Sequence, residues 1–147
     1  MCGICGYIHF DNTKRPSENI LKSMMDTIAS RGPDDSGVFI GAGAALGHRR
    51  LSIIDLKTGH QPISSLDGSK TIVYNGEVYN FLELKTVLLG KGHKFRTNSD
   101  TEVVLHAYEE YGEDCVKLFN GMFAFAIRDS RNKKLFLARD RFGKKPL

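Results

Sequence analysis

The stretch MFAFAIRDSRNKKLFLAR, residues 122–139, decides the fold class. Its apolar segments Met122 to Ile127 and Leu135 to Arg139 have the length of β-strands, and Ser130-Arg131-Asn132 between them is typical of a turn. The sequence therefore predicts two strands joined by a short connection. Such a pair is antiparallel, because a parallel pair needs a much longer crossover.

Further strands are predicted upstream of this hairpin. An alternating segment runs from Ile4 to Phe10, two strands cover residues 36–56 around Gly41-Ala42-Gly43, and Thr71 to Tyr74 is a short buried strand. These strands come in hairpin-like pairs and do not alternate regularly with helices. The order favours an antiparallel α+β fold over a doubly wound parallel sheet.

Three helices are predicted between the strands. The first starts at Pro16-Ser17-Glu18 and stops at Arg31-Gly32-Pro33, with apolar residues at helical spacing between them. The other two begin with the capping-box spacing, Asn80 with Glu83 and Ser99 with Glu102. They end near Gly90 and Gly112.

Length and composition limit the classes of protein that this chain can represent. A chain of 147 residues, 41% hydrophobic and 26% charged, is expected to form one ordinary globular domain. No apolar run approaches the ~18 residues of a membrane helix, and the N-terminus lacks the pattern of a secretory signal. Three cysteines are too few and odd in number for a disulfide framework, so we expect a reducing cytoplasm.

The positive charge is concentrated at the C-terminal end. Residues 128–147 hold eight basic and two acidic residues, whereas the rest of the chain sums to −2. Such a segment could attract nucleic acid or a phosphate group. A solvated hairpin and exit segment is the favoured interpretation, because only Phe136 and Phe142 interleave aromatic rings with the charges.

Cys2 is the most suggestive candidate for chemistry. If Met1 is removed, Cys2 carries a thiol and a free α-amine, whose pKa of ~7.7–8.0 suits a base near neutral pH. Cys5 completes a C-x-x-C spacing, which is typical of a redox pair or half of a zinc site. However, Cys115 stands alone, and the five histidines are scattered in the sequence, so a four-ligand zinc site is not favoured.

Two other positions have both a structural and a functional interpretation, and a third has a structural one. Asn75-Gly76 is either a turn or an oxyanion hole, formed by the asparagine amide and the next backbone N–H. Asp100, after Ser99, is typical of a capped helix start, where an acidic residue already benefits from the helix dipole. Arg50 needs a carboxylate partner if it is buried, and that partner is either an internal aspartate or a ligand.

Seven motifs then align in one order. They are MCGICGY, RGPDDSG (31–37), GHRRLSIID (47–55), YNGEVYN (74–80), SDTEVVLHAY (99–108), NGMFAFAI (120–127) and RDRFGKKPL (139–147). Together they resemble the glutaminase half of glutamine-hydrolysing asparagine synthetases, within the class II glutamine amidotransferases. The resemblance implies an N-terminal nucleophile hydrolase fold, a four-layer αββα sandwich of two mainly antiparallel sheets. It also implies one glutamine amidotransferase domain over residues 1–147.

The resemblance implies a catalytic role for three residues. Cys2 is the nucleophile once Met1 is removed, and it attacks the side-chain amide of glutamine to release ammonia and then glutamate through a thioester. The Asn75 side chain and the Gly76 N–H hold the oxyanion. Arg31 and Gly32 support the nucleophile, and Cys5 is incidental.

The resemblance also implies how glutamine is recognised. Arg50 binds the α-carboxylate, and Asp100 binds the α-ammonium with help from Glu77. The backbone forming the wall of the same pocket comes from Leu51, Ser52, Ile53 and Ile54. No metal or cofactor is expected in this domain.

The synthetase half of the family is not recognisable in this sequence. No Ser-Gly-Gly-x-Asp-Ser pyrophosphate loop occurs, so ATP and Mg would belong to a separate synthetase domain, in cis or in trans. In the family the amidotransferase domain continues with further strands, which implies that residues 1–147 are truncated at the C-terminal end. The expected partners are L-glutamine and that synthetase domain, without nucleic acid or membrane, and a homodimer of the parent protein remains open.

Three classes of function are therefore weighed. The first is glutamine hydrolysis that feeds ammonia to the amidation of aspartate. The second is a non-catalytic remnant, or an amidotransferase that serves another acceptor. The third is a zinc or redox module built on Cys2 and Cys5.

Overall fold

The computed structural model describes residues 1–11, 13–41, 43–52 and 59–147. The strands in these ranges are β1 Gly3–Ile8, β2 Asp35–Gly41, β3 Ala44–Arg50, β4 Ile63–Ser64, β5 Lys70–Val78, β6 Gly121–Asp129 and β7 Lys134–Arg139. The α-helices are α1 Glu18–Thr27, α2 Phe81–Gly90 and α3 Asp100–Tyr111, and short 3-10 helices cover Ala29–Arg31 and Gly112–Leu118.

The strands form two sheets in which the neighbouring strands are antiparallel. One sheet has the order β1-β3-β2, and the other has the order β4-β5-β6-β7. The predicted hairpin of residues 122–139 is the β6–β7 pair, with Phe125 opposite Ala138. None of the described helices is long and apolar enough to cross a membrane.

Successive side chains of a strand point to opposite faces of its sheet, so the two sheets contribute to three separate apolar layers. On one face of the first sheet, Leu21 and Met25 of α1 pack against Ala45. The opposite face packs on the second sheet, where Leu46 meets Val73 of β5. Burial of these side chains, at roughly 25 cal/mol per Å² of apolar surface, holds the layers together.

The remaining apolar layer lies between the second sheet and helices α2 and α3. Its fully buried members include Val104 of α3, Leu88 of α2 and Phe125 of β6. The layers follow the order helix, sheet, sheet, helix pair. The predicted α+β class and αββα sandwich are therefore confirmed.

The predicted helix starts are correct in position, but the reciprocal capping boxes do not form. The Ser99 hydroxyl accepts a hydrogen bond from Thr101 N at 3.1 Å, whereas the Glu102 carboxylate accepts the backbone N–H groups of Arg96 and Thr97 instead. The Asn80 side chain likewise bonds to residues 118 and 120 and leaves its own helix uncapped. In both places, a side chain that the capping box would use forms hydrogen bonds with backbone groups outside its own helix instead.

The turn interpretation of Asn75-Gly76 is wrong. β5 does not end at Tyr74 but continues to Val78, with Asn75 opposite Ala124 of β6. A side chain at Gly76 would place its Cβ 2.4 Å from the Met122 carbonyl oxygen, so glycine allows β6 to approach here.

The solvated interpretation of the basic C-terminal segment is correct for six basic residues and wrong for two. Arg128 and Lys145 are buried. The backbone around Lys145 is fixed by Asp140, whose carboxylate accepts the N–H of Lys145 at 3.1 Å and that of Lys144 at 2.9 Å. Burial alone would raise the pKa of Asp140, but these and other backbone N–H bonds outweigh it and lower the pKa.

His48 joins the two sheets beside the end of β3. It is fully buried, and its Nε2 lies 3.1 Å from the carbonyl oxygen of Tyr74 on β5, to which the neutral ring donates. Burial lowers the pKa of His48 to about 4, from an ordinary value of 6.5. The folded protein therefore keeps this ring neutral where the unfolded chain protonates it.

The contribution of His48 to stability should consequently fall as pH drops from 6.5 towards 4, because the unfolded state then binds the extra proton. The pKa difference corresponds to a loss of about 2 kcal/mol of unfolding free energy between pH 7 and pH 5. We expect His48→Gln, which keeps a donor for Tyr74, to remove most of this slope. Urea unfolding of both proteins at the two pH values tests this, and parallel slopes would contradict the assignment.

Candidate active site

A pocket beside Cys2 brings together seven of the predicted site residues. They come from the N-terminus before β1, the end of β3, β5 and the start of α3, and they are Cys2, Arg50, Leu51, Asn75, Gly76, Glu77 and Asp100. Four segments of the chain therefore meet where the two sheets come together.

The Cys2 thiol is held by the backbone of one residue. Leu51 N–H donates to Cys2 Sγ at 3.4 Å, and the thiol lies 3.6 Å from the Leu51 carbonyl oxygen. Cys2 is partly exposed, so a ligand in the pocket can reach its sulfur. In the present chain the Cys2 nitrogen is still bonded to Met1, which also lines the pocket.

The segment after α1 fixes the backbone of Cys2. Arg31 Nε donates to the Cys2 carbonyl oxygen at 3.2 Å. Gly32 lies so close to β3 that a Cβ there would be 2.3 Å from the Arg49 carbonyl carbon. Glycine at this position permits the close approach of the segment after α1 to the end of β3, which in turn lies beside the start of the chain because Gly3 of β1 pairs with Arg49.

The edge of β5 that faces away from β6 points N–H groups towards the pocket. Tyr74 N–H donates to Gln61 Oε1 at 2.7 Å, and Val78 N–H donates to Asp100 Oδ2 at 3.0 Å. Because N–H directions alternate along a strand, Gly76 N–H points to this same edge, midway between the two. The Asn75 side chain also lines the pocket and has no hydrogen bond to another residue in the described ranges.

Asp100 is a buried carboxylate that lines the pocket. Its Oδ2 accepts hydrogen bonds from Tyr74 Oη at 2.8 Å and from Val78 N, and no cation of the described chain lies within ion-pair distance. Burial raises the pKa of Asp100, although these hydrogen bonds act in the opposite direction. A bound ammonium group would relieve this desolvation.

Arg50 and Glu77 complete the polar lining. Arg50 is the last residue of β3 and is 4% exposed, and its backbone carbonyl oxygen accepts Asp34 N–H at 3.0 Å. Arg50 and Asp100 therefore place opposite charges in one pocket.

The predicted wall of residues 51–54 is only partly seen. Leu51 lines the pocket, but Ser52 does not. The backbone N–H of Ser52 instead donates to Asp34 Oδ2 at 2.8 Å. The predictions for Ile53 and Ile54 lie outside the described residues.

Several pocket residues were not predicted from the sequence. Gln61 bridges two elements, since it accepts from Tyr74 N and donates to Thr101 Oγ1 at 3.2 Å. Lys145 lines the pocket, with its Nζ 2.9 Å from the Met1 sulfur. Lys145 lies in the RDRFGKKPL motif, but nothing in the sequence marked it or Gln61 as a pocket residue.

The C-x-x-C hypothesis gains no support from the structure. All three cysteines are free, and Cys5 packs towards α1, away from the pocket of Cys2. Burial raises the pKa of the Cys5 thiol, which opposes a reactive role. Among the described residues, the only group with metal-binding geometry contains two histidines, His93 and His106, and no cysteine. The histidines are therefore not all scattered, although the separation of His93 and His106 in the sequence does not indicate a pair.

Two packed antiparallel sheets lie between helices, and Cys2 directly precedes the first strand. The fold is similar to that of glutamine phosphoribosylpyrophosphate amidotransferase from B. subtilis, solved with ADP and GMP. That comparison has a TM-score of 0.69 at 23% identity and covers 97% of this chain and 37% of the other.

The family follows from the sequence comparisons. The family model described as a glutamine amidotransferase domain matches residues 1–147, and the chain belongs to this family. It is 45% identical to asparagine synthetase [glutamine-hydrolyzing] 3 of Bacillus subtilis (strain 168), covering 99% of this chain and 24% of that protein. It is 42% identical to asparagine synthetase [glutamine-hydrolyzing] 2 of Oryza sativa subsp. japonica, covering 100% of this chain and 24% of that protein. The chain thus spans about a quarter of the length of these relatives.

Proposed function

We propose that this domain hydrolyses the side-chain amide of L-glutamine, with Cys2 as the nucleophile. The observation that carries the proposal is the arrangement of one pocket. The Cys2 thiol, the Asn75 side chain and the Gly76 N–H lie in it together with Arg50 and Asp100. Glutamine has a reactive amide at one end and a carboxylate with an ammonium group at the other, which matches this distribution.

The first half of the reaction forms a thioester. Once Met1 is removed, the free α-amine of Cys2 accepts the thiol proton, and the sulfur attacks the amide carbon. The oxygen becomes negatively charged and is stabilised by Asn75 Nδ2 and Gly76 N–H. The α-ammonium then donates its proton to the leaving nitrogen, so the C–N bond breaks and ammonia leaves.

The second half releases glutamate. The α-amine takes a proton from water as the water oxygen attacks the thioester carbon. The same oxyanion hole stabilises the negative charge that develops on the carbonyl oxygen. The C–S bond breaks, and the sulfur recovers a proton as the thiol. No redox change occurs, and no cofactor is required by the balance of atoms.

The amino-acid end of glutamine sets the position of the amide. Arg50 binds the α-carboxylate through a two-pronged hydrogen bond, and Asp100 binds the α-ammonium group with Glu77 nearby. Tyr74 and Val78 hold the Asp100 carboxylate in place. Arg31 holds Cys2 by its backbone carbonyl, and Gly32 supports this arrangement by allowing the segment to approach β3, so nucleophile and substrate are fixed independently.

For the whole protein we propose glutamine-dependent asparagine synthesis, in which ammonia reaches an ATP-dependent synthetase domain in cis or in trans. The relatives that support this proposal are named as asparagine synthetases, and each name refers to the whole protein. The present chain matches about a quarter of each. Residues 1–147 act as the amidotransferase domain, ATP and Mg belong to the synthetase domain, and the cytoplasm keeps Cys2 reduced. Nucleic acid and membrane have no role in this scheme, and a homodimer of the parent protein is to be tested by its mass in solution.

The proposal is tested by measuring glutamate and ammonia release from L-glutamine, together with the mass of the N-terminus. We expect equal amounts of both products from protein that starts at Cys2. Protein that retains Met1 should be inactive, because its Cys2 nitrogen is an amide and cannot act as the base. A fully processed and folded protein that binds glutamine but releases nothing would instead support a non-catalytic remnant.

Substrate recognition gives a separate prediction for Arg50→Lys. The variant keeps the charge but loses the two-pronged geometry, so KM for glutamine should rise about 10- to 100-fold, as expected for a lost hydrogen bond to a charged group. The melting temperature should change little. A large drop in melting temperature with an unchanged KM would show that Arg50 serves the fold and not the substrate.

A further inference from the structure

A second cluster of polar side chains lies on α3, away from the pocket. It consists of His106 and Glu109 of α3 and of His93, which follows α2. His106 is six residues beyond Asp100, so the cluster is about 9 Å further along the helix axis than the pocket. The proposed reaction uses none of these residues.

Both imidazole rings direct one nitrogen at the same carboxylate oxygen. His106 Nδ1 lies 2.6 Å from Glu109 Oε2, and His93 Nδ1 lies 3.8 Å from it. One ligand atom from each of the three residues lies within 4.8 Å of the other two. Zinc ligands at about 2.0–2.2 Å from a tetrahedral ion lie about 3.3 Å apart, so small side-chain rotations suffice to hold one ion.

The other nitrogen of each ring faces a further carboxylate. His93 Nε2 lies 3.1 Å from Glu110 Oε2, and His106 Nε2 lies 3.7 Å from Glu102 Oε1. Histidines that bind metals almost always donate their second N–H to such a group, which fixes the ring and its tautomer. His93 has this arrangement with Glu110, whereas His106 Nε2 is too far from Glu102 for a hydrogen bond and is a buried nitrogen without a hydrogen-bond partner in the described ranges.

The outer carboxylates are themselves fixed. Lys91 Nζ lies 2.8 Å from Glu110 Oε1, and Glu102 accepts the backbone N–H groups of residues 96 and 97. Phe95 packs edge-on against the His106 ring at 4.7 Å, so this ring has little freedom.

The site is closed on one side and open on the other. The His106 side chain is 4% exposed, whereas those of His93 and Glu109 are 16% and 19% exposed. An ion can therefore enter from solvent and keep a water molecule as its fourth ligand.

We propose that His93, His106 and Glu109 bind one divalent zinc-like ion, with Glu110 orienting the His93 imidazole. Two imidazole nitrogens favour zinc and similar transition metals over magnesium or calcium, which prefer oxygen ligands. The ion would attach the segment 91–98 to α3. Since this segment leads directly into Ser99 and Asp100, the ion would stabilise the entry to the helix that starts in the pocket. This inference does not depend on the proposed glutamine hydrolysis.

The test uses the 147-residue chain, stripped of metal with a chelator and titrated with ZnCl2 by calorimetry. We expect one ion per chain and a higher melting temperature with zinc, because a ligand that binds only the folded state stabilises it. His93→Ala and Glu109→Gln should both lose this binding. Glu109→Gln changes a partly exposed side chain, so it tests the site even if the histidine variant folds poorly.

The matched control is His60→Ala. His60 also pairs with a carboxylate, its Nδ1 lying 2.5 Å from Asp35 Oδ2, but it is not part of the described metal-binding group. This variant should keep full zinc binding. Glu110→Gln should weaken binding about 10- to 100-fold, the usual effect of removing such an orienting group. Absence of stoichiometric binding, or equal binding by Glu109→Gln, would overturn the proposal.

Discussion

Cys2→Ala should abolish glutamate and ammonia release, with a loss of kcat on the order of 10⁶-fold, as expected for removal of a nucleophile. Cys2 Sγ faces the pocket and accepts the N–H of Leu51, and no other cysteine lines that pocket among the described residues. The substitution removes one sulfur from a partly exposed position, so the melting temperature should change little. Coupled assays for glutamate and ammonia, with the melting temperature measured on the same preparation, provide the test.

Cys5→Ala is the matched control for this prediction. The two cysteines have similar exposure and lie three residues apart, but Cys5 packs with Met25 of α1 on the other face of the sheet. Only Cys2 can carry a free α-amine beside its thiol. Cys5→Ala should therefore keep most of the activity. Equal loss in the two variants would contradict the assignment of Cys2 and return attention to a pair of thiols.

Local patterns in the sequence were sufficient for most helices and strands and for the α+β class, whereas the αββα layers were implied by the resemblance to a family. The helical spacing of Leu21 and Met25 reflects one buried face of α1, and the continuous apolar run of β6 reflects burial on both faces of its sheet. The patterns failed where a distant partner decides the local conformation. Asn75-Gly76 resembles a turn, yet pairing with β6 keeps both residues in an extended strand.

The same reasoning explains which site residues were recognised. The predicted residues were placed by resemblance to a family, and the structure brings most of them into one pocket. Gln61 and Lys145 were missed because their positions depend on contacts across the fold. Gln61 reaches Tyr74 and Thr101, and the backbone of Lys145 is held by Asp140. No local rule of spacing encodes such contacts.

The paired substitutions Asn75→Ala and Asn75→Asp separate a catalytic role from a structural one. If Asn75 donates to the oxyanion, loss of the amide should lower kcat by about 10²–10³-fold, or ~2.7–4 kcal/mol of barrier. Aspartate should be at least as harmful as alanine, because it places a carboxylate against a developing negative charge. KM should change far less, since Arg50 and Asp100 bind the opposite end of glutamine.

A purely structural role gives a different pattern. Asn75 is buried in the middle of β5, and its side chain has no hydrogen bond to another residue in the described ranges. If Asn75 only fills space in the strand, then aspartate, which has nearly the same shape, should retain kcat, and any defect should appear in the melting temperature. The decisive measurements are kcat and KM for glutamine hydrolysis, with circular dichroism to confirm the fold. A near-normal kcat for Asn75→Asp would contradict the oxyanion role and leave Gly76 N–H to act with another donor.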